Sequence, residues 1–283
     1  MTILRAPSKT FFLGEYAVLS HGHAIVMATK PYFTLEFKQD QTSCPLKGPI
    51  NDFAIEHDLK GWHWHDPHEQ LGGLGASSAV FAMALYHQQS QTQNDLNNIE
   101  LFESFKRYHQ NQTPVPSGAD LLCQLHGGLT LINCPDATAH AWPFKSLAWS
   151  IYRTGLTSQT HKVLQYPSSS ASMAMNQIVL EGKKAIKESN EQLMLQTISA
   201  YHDAMQNNQC YDHQLKPVFS YLNEAPEILS FKGCGALGID TFLVLYDQNH
   251  THNVHQHLDS HFSRIAHTPD IAHGIHEYQE VYV

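Results

Sequence analysis

The alternation of apolar and polar residues predicts strands at the start of the chain. Thr2 to Arg5 and Thr10 to Leu13 read as short strands on either side of Pro7. Ala24 to Ala28 and Tyr32 to Phe37 carry β-branched and aromatic residues and read as two more. Residues 39–70 are polar and irregular, with Pro45, Pro49 and Pro67, and predict short strands and loops. A helix is expected from Ser77 to Gln89, capped by Ser77 or Ser78, with Val80, Met83 and Ala84 on its buried face. Leu96 to His109 predicts an amphipathic helix, Ala119 to Leu125 a short helix, and Leu129 to Asn133 a strand.

The stretch Asp136 to Ser146 reads as a seam, dividing the chain into domains at 1–146 and 147–283. Beyond it, Ala148 to Thr154 predicts a strand. Ser170 to Lys187, Glu191 to Asn207 and Leu215 to Leu222 have helical period. Ile228 to Lys232 and Thr241 to Tyr246 form strand, glycine turn and strand. His252 to Arg264 reads as a helix and His276 to Val283 as a final strand. Helices and strands interspersed in this way fit a layered α+β architecture.

Composition narrows the function. The 283 residues are 42% hydrophobic, enough for a substantial core. The 17 Lys and Arg against 26 Asp and Glu give a net charge of −9, which argues against nucleic acid as a partner. Five cysteines, none in a Cys-x-x-Cys pair, fit a reducing cytoplasm better than a disulfide framework. Met1 to Pro7 lacks the apolar core of a signal peptide, and no apolar run is long enough to span a bilayer. A cytoplasmic protein is expected, monomeric or homodimeric, with no membrane partner. His63, His65 and His68 have no cysteine nearby and read as a polar surface loop rather than a zinc site.

The candidate chemistry begins at Leu71-Gly72-Gly73-Leu74-Gly75-Ala76-Ser77-Ser78-Ala79. Glycines let a ligand approach the backbone without a Cβ in the way. A helix opening directly after them offers unpaired N–H groups and the positive end of its dipole to an anion. The loop is therefore either a phosphate cradle or a tight turn that packs a helix. It matches neither the Walker nor the dinucleotide pattern.

Three further segments accompany it: Ala6-Pro7-Ser8-Lys9 through Gly14-Glu15-Tyr16-Ala17-Val18-Leu19, Pro116-Ser117-Gly118-Ala119-Asp120, and Lys232-Gly233-Cys234-Gly235-Ala236-Leu237-Gly238-Ile239-Asp240. In this order and spacing the four segments resemble the GHMP kinases over residues 5–246. The stretch Thr154 to Thr160 resembles the opening of the second domain in the mevalonate and phosphomevalonate branches. The resemblance implies a two-domain α+β fold, with an N-terminal mixed sheet covered by helices on one side and a ferredoxin-like C-terminal domain. It implies an active site between the domains, with ATP and magnesium as cofactors and a small-molecule acceptor.

Phosphoryl transfer needs positioning and charge neutralisation more than covalent help. By resemblance, Gly72, Gly73, Gly75, Ala76, Ser77 and Ser78 hold ATP, and Ser77 binds magnesium. Ala76 stands where the family usually has a first serine. Asp120 falls at the catalytic aspartate, able to accept the hydroxyl proton. Lys9 falls at the lysine that steadies the developing alkoxide. Glu15, Tyr16, Ser117, Arg153, Thr160, Lys162, Gly235 and Asp240 fall on the acceptor side, with Lys232 a further cation nearby. The magnesium-binding glutamate of mevalonate kinases, eleven positions before the aspartate, is here His109, a poor ligand for so hard a cation. That departure and the Glu15-Tyr16 wording favour 5-phosphomevalonate as acceptor. Mevalonate is the alternative, with a decarboxylase-branch enzyme or a non-catalytic metabolite-binding protein less favoured.

Overall fold

A computed structural model describes residues 2–38, 48–69, 72–92, 98–112, 115–156 and 167–278. The first half runs β1 (Thr2–Leu13), β2 (Ala24–Phe37), α1 (Pro49–Glu56), β3 (Trp62–His65), α2 (Ala76–Thr92), α3 (Asn98–His109), α4 (Ala119–His126), β4 (Leu129–Asn133) and β5 (Asp136–His140). The second half runs β6 (Leu147–Arg153), α5 (Ser169–Glu188), α6 (Glu191–Asn207), α7 (Lys216–Asn223), β7 (Ile228–Cys234), β8 (Thr241–Asp247), α8 (Thr251–Asp259), β9 (Arg264–His267) and β10 (His276–Glu277).

The strands form two sheets, giving the α+β architecture expected. The first has the order β10-β1-β2-β4-β5, with β3 pairing β2. The short β10 returns from the end of the chain to pair with β1 at Leu4 and Arg5. Where a mixed sheet was expected, the strand pairs described in it are all antiparallel. The second sheet has the order β7-β8-β6-β9. Read from β9 and numbered by position in the half, it is the 4-1-3-2 order of a ferredoxin-like unit.

Successive residues of a strand face opposite ways, and β2 uses this to join two cores. Ala24, Val26 and Ala28 face a cluster with Phe53, Phe81, Phe105 and Leu121 from α1 to α4. Ile25 and Met27 face a second cluster with Trp149, Ile151, Met175 and Val179 from the other half. The two halves therefore share a buried core. The outer face of the second sheet packs Tyr152, Phe242 and Val244 against Val218, Val254 and Leu258. Among the described residues, no helix is long and apolar enough to cross a membrane.

Several elements differ from expectation. The strands flanking Pro7 are one strand, as are those flanking Pro31. The register slips where they meet: Pro7 faces Tyr32 and Ser8 faces Thr29, so Lys30 and Pro31 leave the ladder as a bulge. The region 39–70 contains the helix α1. The helix expected over His252 to Arg264 stops at Asp259, and Arg264 opens β9. The last strand is described only at His276 and Glu277; residues 279–283 lie outside the described part. His63 and His65 lie in β3 rather than a loop. His68 is buried, its Nε2–H donating to Ser8 Oγ at 2.6 Å. Among the described residues, no group of three or more metal-ligating side chains gathers.

Candidate active site

The glycine loop lies against β1. The Lys9 N–H donates to the Leu74 carbonyl at 3.0 Å. Gln124 of α4 donates from Nε2 to the carbonyls of Pro7 and Gly75, each at 3.0 Å. These bonds fix the start of α2 beside Lys9. The helix begins at Ala76, so the N–H groups of its first turn point out of its end without helical acceptors. Ser77 is exposed there, while Ser78 turns back and donates to the Gly75 carbonyl at 3.0 Å.

Gly75 has φ +89°, and a Cβ there would lie 2.7 Å from Lys9 Cγ and 2.9 Å from Gln124 Nε2. Its glycine character thus serves the approach of Lys9 as well as the turn.

Beneath the loop is a cavity of about 600 Å³. Lys9, Glu15, Tyr16, Gly72, Gly73, Gly75, Ala76, Ser77, Ser78, Ser117, Asp120, Gly235 and Asp240 all line it. Four segments far apart in sequence therefore meet at one place. Lys9 Nζ and Asp120 Oδ2 form an ion pair at 3.0 Å, with the lysine side chain 8% exposed and the aspartate 33%. Gly118, at φ +88°, turns the chain into α4 and puts Asp120 in its first turn.

Asp240 reaches the site from the second half. A Cβ on Gly73 would lie 2.7 Å from Asp240 Oδ2, and one on Gly235 would lie 2.5 Å from the same atom. The carboxylate is thus sandwiched between the two glycine loops, and only glycines leave it that space. Burial raises its pKa, against the opposing pull of Lys9 and Arg153.

Glu15 and Lys232 tie the halves together below the cavity. Lys232 is fully buried and donates to Glu15 Oε1 at 2.6 Å and to the Phe11 carbonyl at 3.2 Å. Burial disfavours its ammonium, but Cys234 and Glu15 outweigh that and raise its pKa. The sequence had offered Lys232 as a cation for the acceptor; buried and paired with Glu15, it is not available to one. The Tyr16 hydroxyl donates to the Cys210 carbonyl and accepts the Leu237 N–H, each at 3.2 Å, which anchors the second glycine loop.

Arg153 does not line the cavity. It ends β6 near Asp66, Asp240 and Glu69, and burial lowers its pKa. Thr160 and Lys162 lie outside the described residues. His109 does line the cavity, but its Nδ1–H donates to the Phe105 carbonyl at 2.8 Å and its ring stacks on Phe105. Burial lowers its pKa, so the ring is neutral near pH 7.

No role was read from sequence for Phe11, Val18, Leu19, Phe105 and Gln112, which also line the cavity. Phe11, Val18 and Leu19 stand inside a segment already singled out. Phe105 and Gln112 come from α3 and the turn after it, and only the tertiary fold brings them here.

No family model matches this chain, and no curated protein matches it in sequence. Solved structures match it in fold. The phosphomevalonate kinase of Streptococcus pneumoniae, in complex with phosphomevalonate and AMPPNP, aligns with TM-score 0.74 at 14% identity over 94% of this chain and 99% of its own. The galactokinase of Lactococcus lactis complexed with galactose aligns with TM-score 0.71 at 10% identity over 97% and 94%. The mevalonate kinase of L. major in complex with R-mevalonate aligns with TM-score 0.61 at 18% identity over 92% and 94%. The fold is that of the GHMP kinases.

Proposed function

We propose that this chain is an ATP-dependent kinase that transfers the γ-phosphoryl group to the hydroxyl of a small acceptor, 5-phosphomevalonate in preference to mevalonate. The observation that carries the reading is the Lys9–Asp120 pair at 3.0 Å, beside the end of a helix whose first-turn N–H groups face the same cavity. In this reading the loop from Gly72 to Ser78 holds the triphosphate through backbone N–H groups. Asp120 takes the proton from the acceptor hydroxyl, and Lys9 stabilises the oxygen as it attacks. Glu15 and Tyr16 act as struts that hold the Gly235 loop. Ser117 and Asp240 border the acceptor.

The donor set also suits magnesium, which prefers hard oxygen ligands and keeps several to water and phosphate. The exposed Ser77 hydroxyl and the carboxylates of Asp120 and Asp240 line the cavity. Glu15 Oε2 adds a buried oxygen without a hydrogen-bond partner. Ser77, with one of the aspartates, would hold the ion. Bound there, it would neutralise charge on the phosphates.

One observation favours mevalonate as a second reading. Among the described residues, Lys9 is the one cation lining this cavity, against the carboxylates of Glu15, Asp120 and Asp240. An acceptor without a phosphate meets less repulsion there. A purely metabolite-binding role would not call for an aspartate and a lysine paired beside a phosphate cradle. Purified protein incubated with Mg-ATP and a panel of mevalonate-related alcohols tests the proposal. Acceptor-dependent ADP release with a product heavier by one phosphate supports it. ADP release indifferent to every acceptor contradicts it.

A further inference from the structure

A second cavity of about 400 Å³ adjoins the first, and the two share Val18, Leu19 and Ser117 as walls. Its cation is Lys106, on α3. The Lys106 ammonium donates to the carbonyl of Pro116 at 2.7 Å, and Pro116 itself lines the first cavity. The charge is therefore held at the junction of the two spaces, with N–H groups left over. Among the described residues, no carboxylate lies within ion-pair distance of it. In the first cavity, by contrast, Lys9 is paired with Asp120, and Lys232, below that cavity, lies buried against Glu15.

We infer that the second cavity holds the distal anionic group of the acceptor, with Lys106 as the residue that selects for it. This rests on the kinase reading above. Ser117 stands three residues before Asp120 and walls both cavities. An acceptor whose hydroxyl meets Asp120 can pass Ser117 and place its far end beside Lys106. The lysine of the first cavity is already paired with Asp120, whereas the Lys106 ammonium in the second has no carboxylate at ion-pair distance among the described residues and attracts the anion. A phosphate or a carboxylate would satisfy the same ammonium. Val115, 41% exposed, forms another part of the wall and offers a place to alter the charge without disturbing the core.

The test is calorimetric titration of 5-phosphomevalonate and of mevalonate into the full chain with magnesium and a non-hydrolysable ATP analogue, alongside steady-state kinetics. Lys106→Gln should weaken the anionic acceptor about tenfold or more in Kd and KM, with kcat and nucleotide affinity within about twofold. Lys106→Arg should keep most of the affinity. Val115→Glu should weaken the acceptor as Lys106→Gln does, and it carries the test if Lys106→Gln does not fold. Loss confined to 5-phosphomevalonate assigns the pocket to a phosphate; loss for both assigns it to a carboxylate. Lys106-dependent acceptor binding without ADP release would leave the anion pocket standing while the kinase reading falls. Unchanged affinity for both acceptors in a folded Lys106→Gln protein, no acceptor binding to the wild type, or an equal loss for the nucleotide would overturn the inference.

Discussion

Lys9 Nζ and Asp120 Oδ2 lie 3.0 Å apart, although 111 positions separate them in the chain. The contact joins the middle of β1 to the first turn of α4. If both act on one hydroxyl, their effects cannot be independent. Asp120→Asn should lower kcat by about a hundredfold or more with nucleotide affinity little changed, and Lys9→Met should do likewise. The double variant should be scarcely worse than either single one, because each already disables the unit. A double-mutant cycle in kcat checks this, and strictly additive losses would separate the two roles.

Gly75 and Ser77 belong to one loop but should fail differently. A side chain at Gly75 meets Lys9 and Gln124 at under 3 Å. Gly75→Val should therefore lower both thermal stability and turnover, by displacing Lys9 as well as by narrowing the cradle. Ser77 is exposed at the helix end, so Ser77→Ala should keep the melting temperature and raise the magnesium concentration needed for half-maximal rate. Scanning calorimetry and a magnesium titration separate the two outcomes. A Gly75→Val protein that is as stable and as active as wild type would refute this account of the loop.

The Glu15–Lys232 pair is buried between the two sheets, with side chains 7% and 0% exposed. Removing one partner strands a charge in the core. Glu15→Ala should cost about 3 kcal/mol or more by urea unfolding, and Glu15→Gln with Lys232→Met together should recover a large part of it. A mild effect of the single change, under about 1 kcal/mol, would mean that water or another group already compensates the lysine.

Much of this was legible in the sequence because the site rests on local chemistry. The glycines before α2, the Ser117-Gly118 turn before Asp120 and the lysine on β1 are short-range signals, and each sits where its local motif requires. The misreadings have physical causes. Pro7 and Pro31 look like strand breakers, but a register slip removes the Lys30-Pro31 pair from the ladder. The helix α1 begins at Pro49, a residue suited to a first helical position, and buries Ile50, Phe53 and Ala54 at helical spacing. Its polar surroundings hid that signal. Lys232 reads as a free cation because nothing in sequence shows that Glu15, 217 positions away, lies against it. Lys106 was silent for the converse reason: it reads as one more charge on the polar face of a helix, and only the fold places it at a cavity.

Stability should fall on mild acidification. Burial depresses the pKa of His68 and of His255 from 6.5 to about 4. His68 donates to Ser8, and His255 Nε2 lies 3.0 Å from Ser150 Oγ. The folded state binds fewer protons than the unfolded chain between these values. The contribution of each is therefore complete above about pH 6.5 and lost as pH falls through about 4. The melting temperature should drop between pH 6.5 and 4.5, and His255→Gln should make that drop shallower. A melting temperature flat across this range would contradict the assignment of neutral, buried imidazoles.

The central claim is that the γ-phosphoryl group of ATP passes to an acceptor hydroxyl held between Lys9 and Asp120. The most direct measurement follows labelled γ-phosphate from Mg-ATP in the presence of 5-phosphomevalonate or mevalonate, in the wild type and in Asp120→Asn. The account predicts acceptor-bound label in the wild type, faster with 5-phosphomevalonate by about tenfold or more, a discrimination worth about 1.4 kcal/mol in the transition state. It predicts almost none in the variant. Label found only as inorganic phosphate, or transferred equally well by the variant, would contradict it.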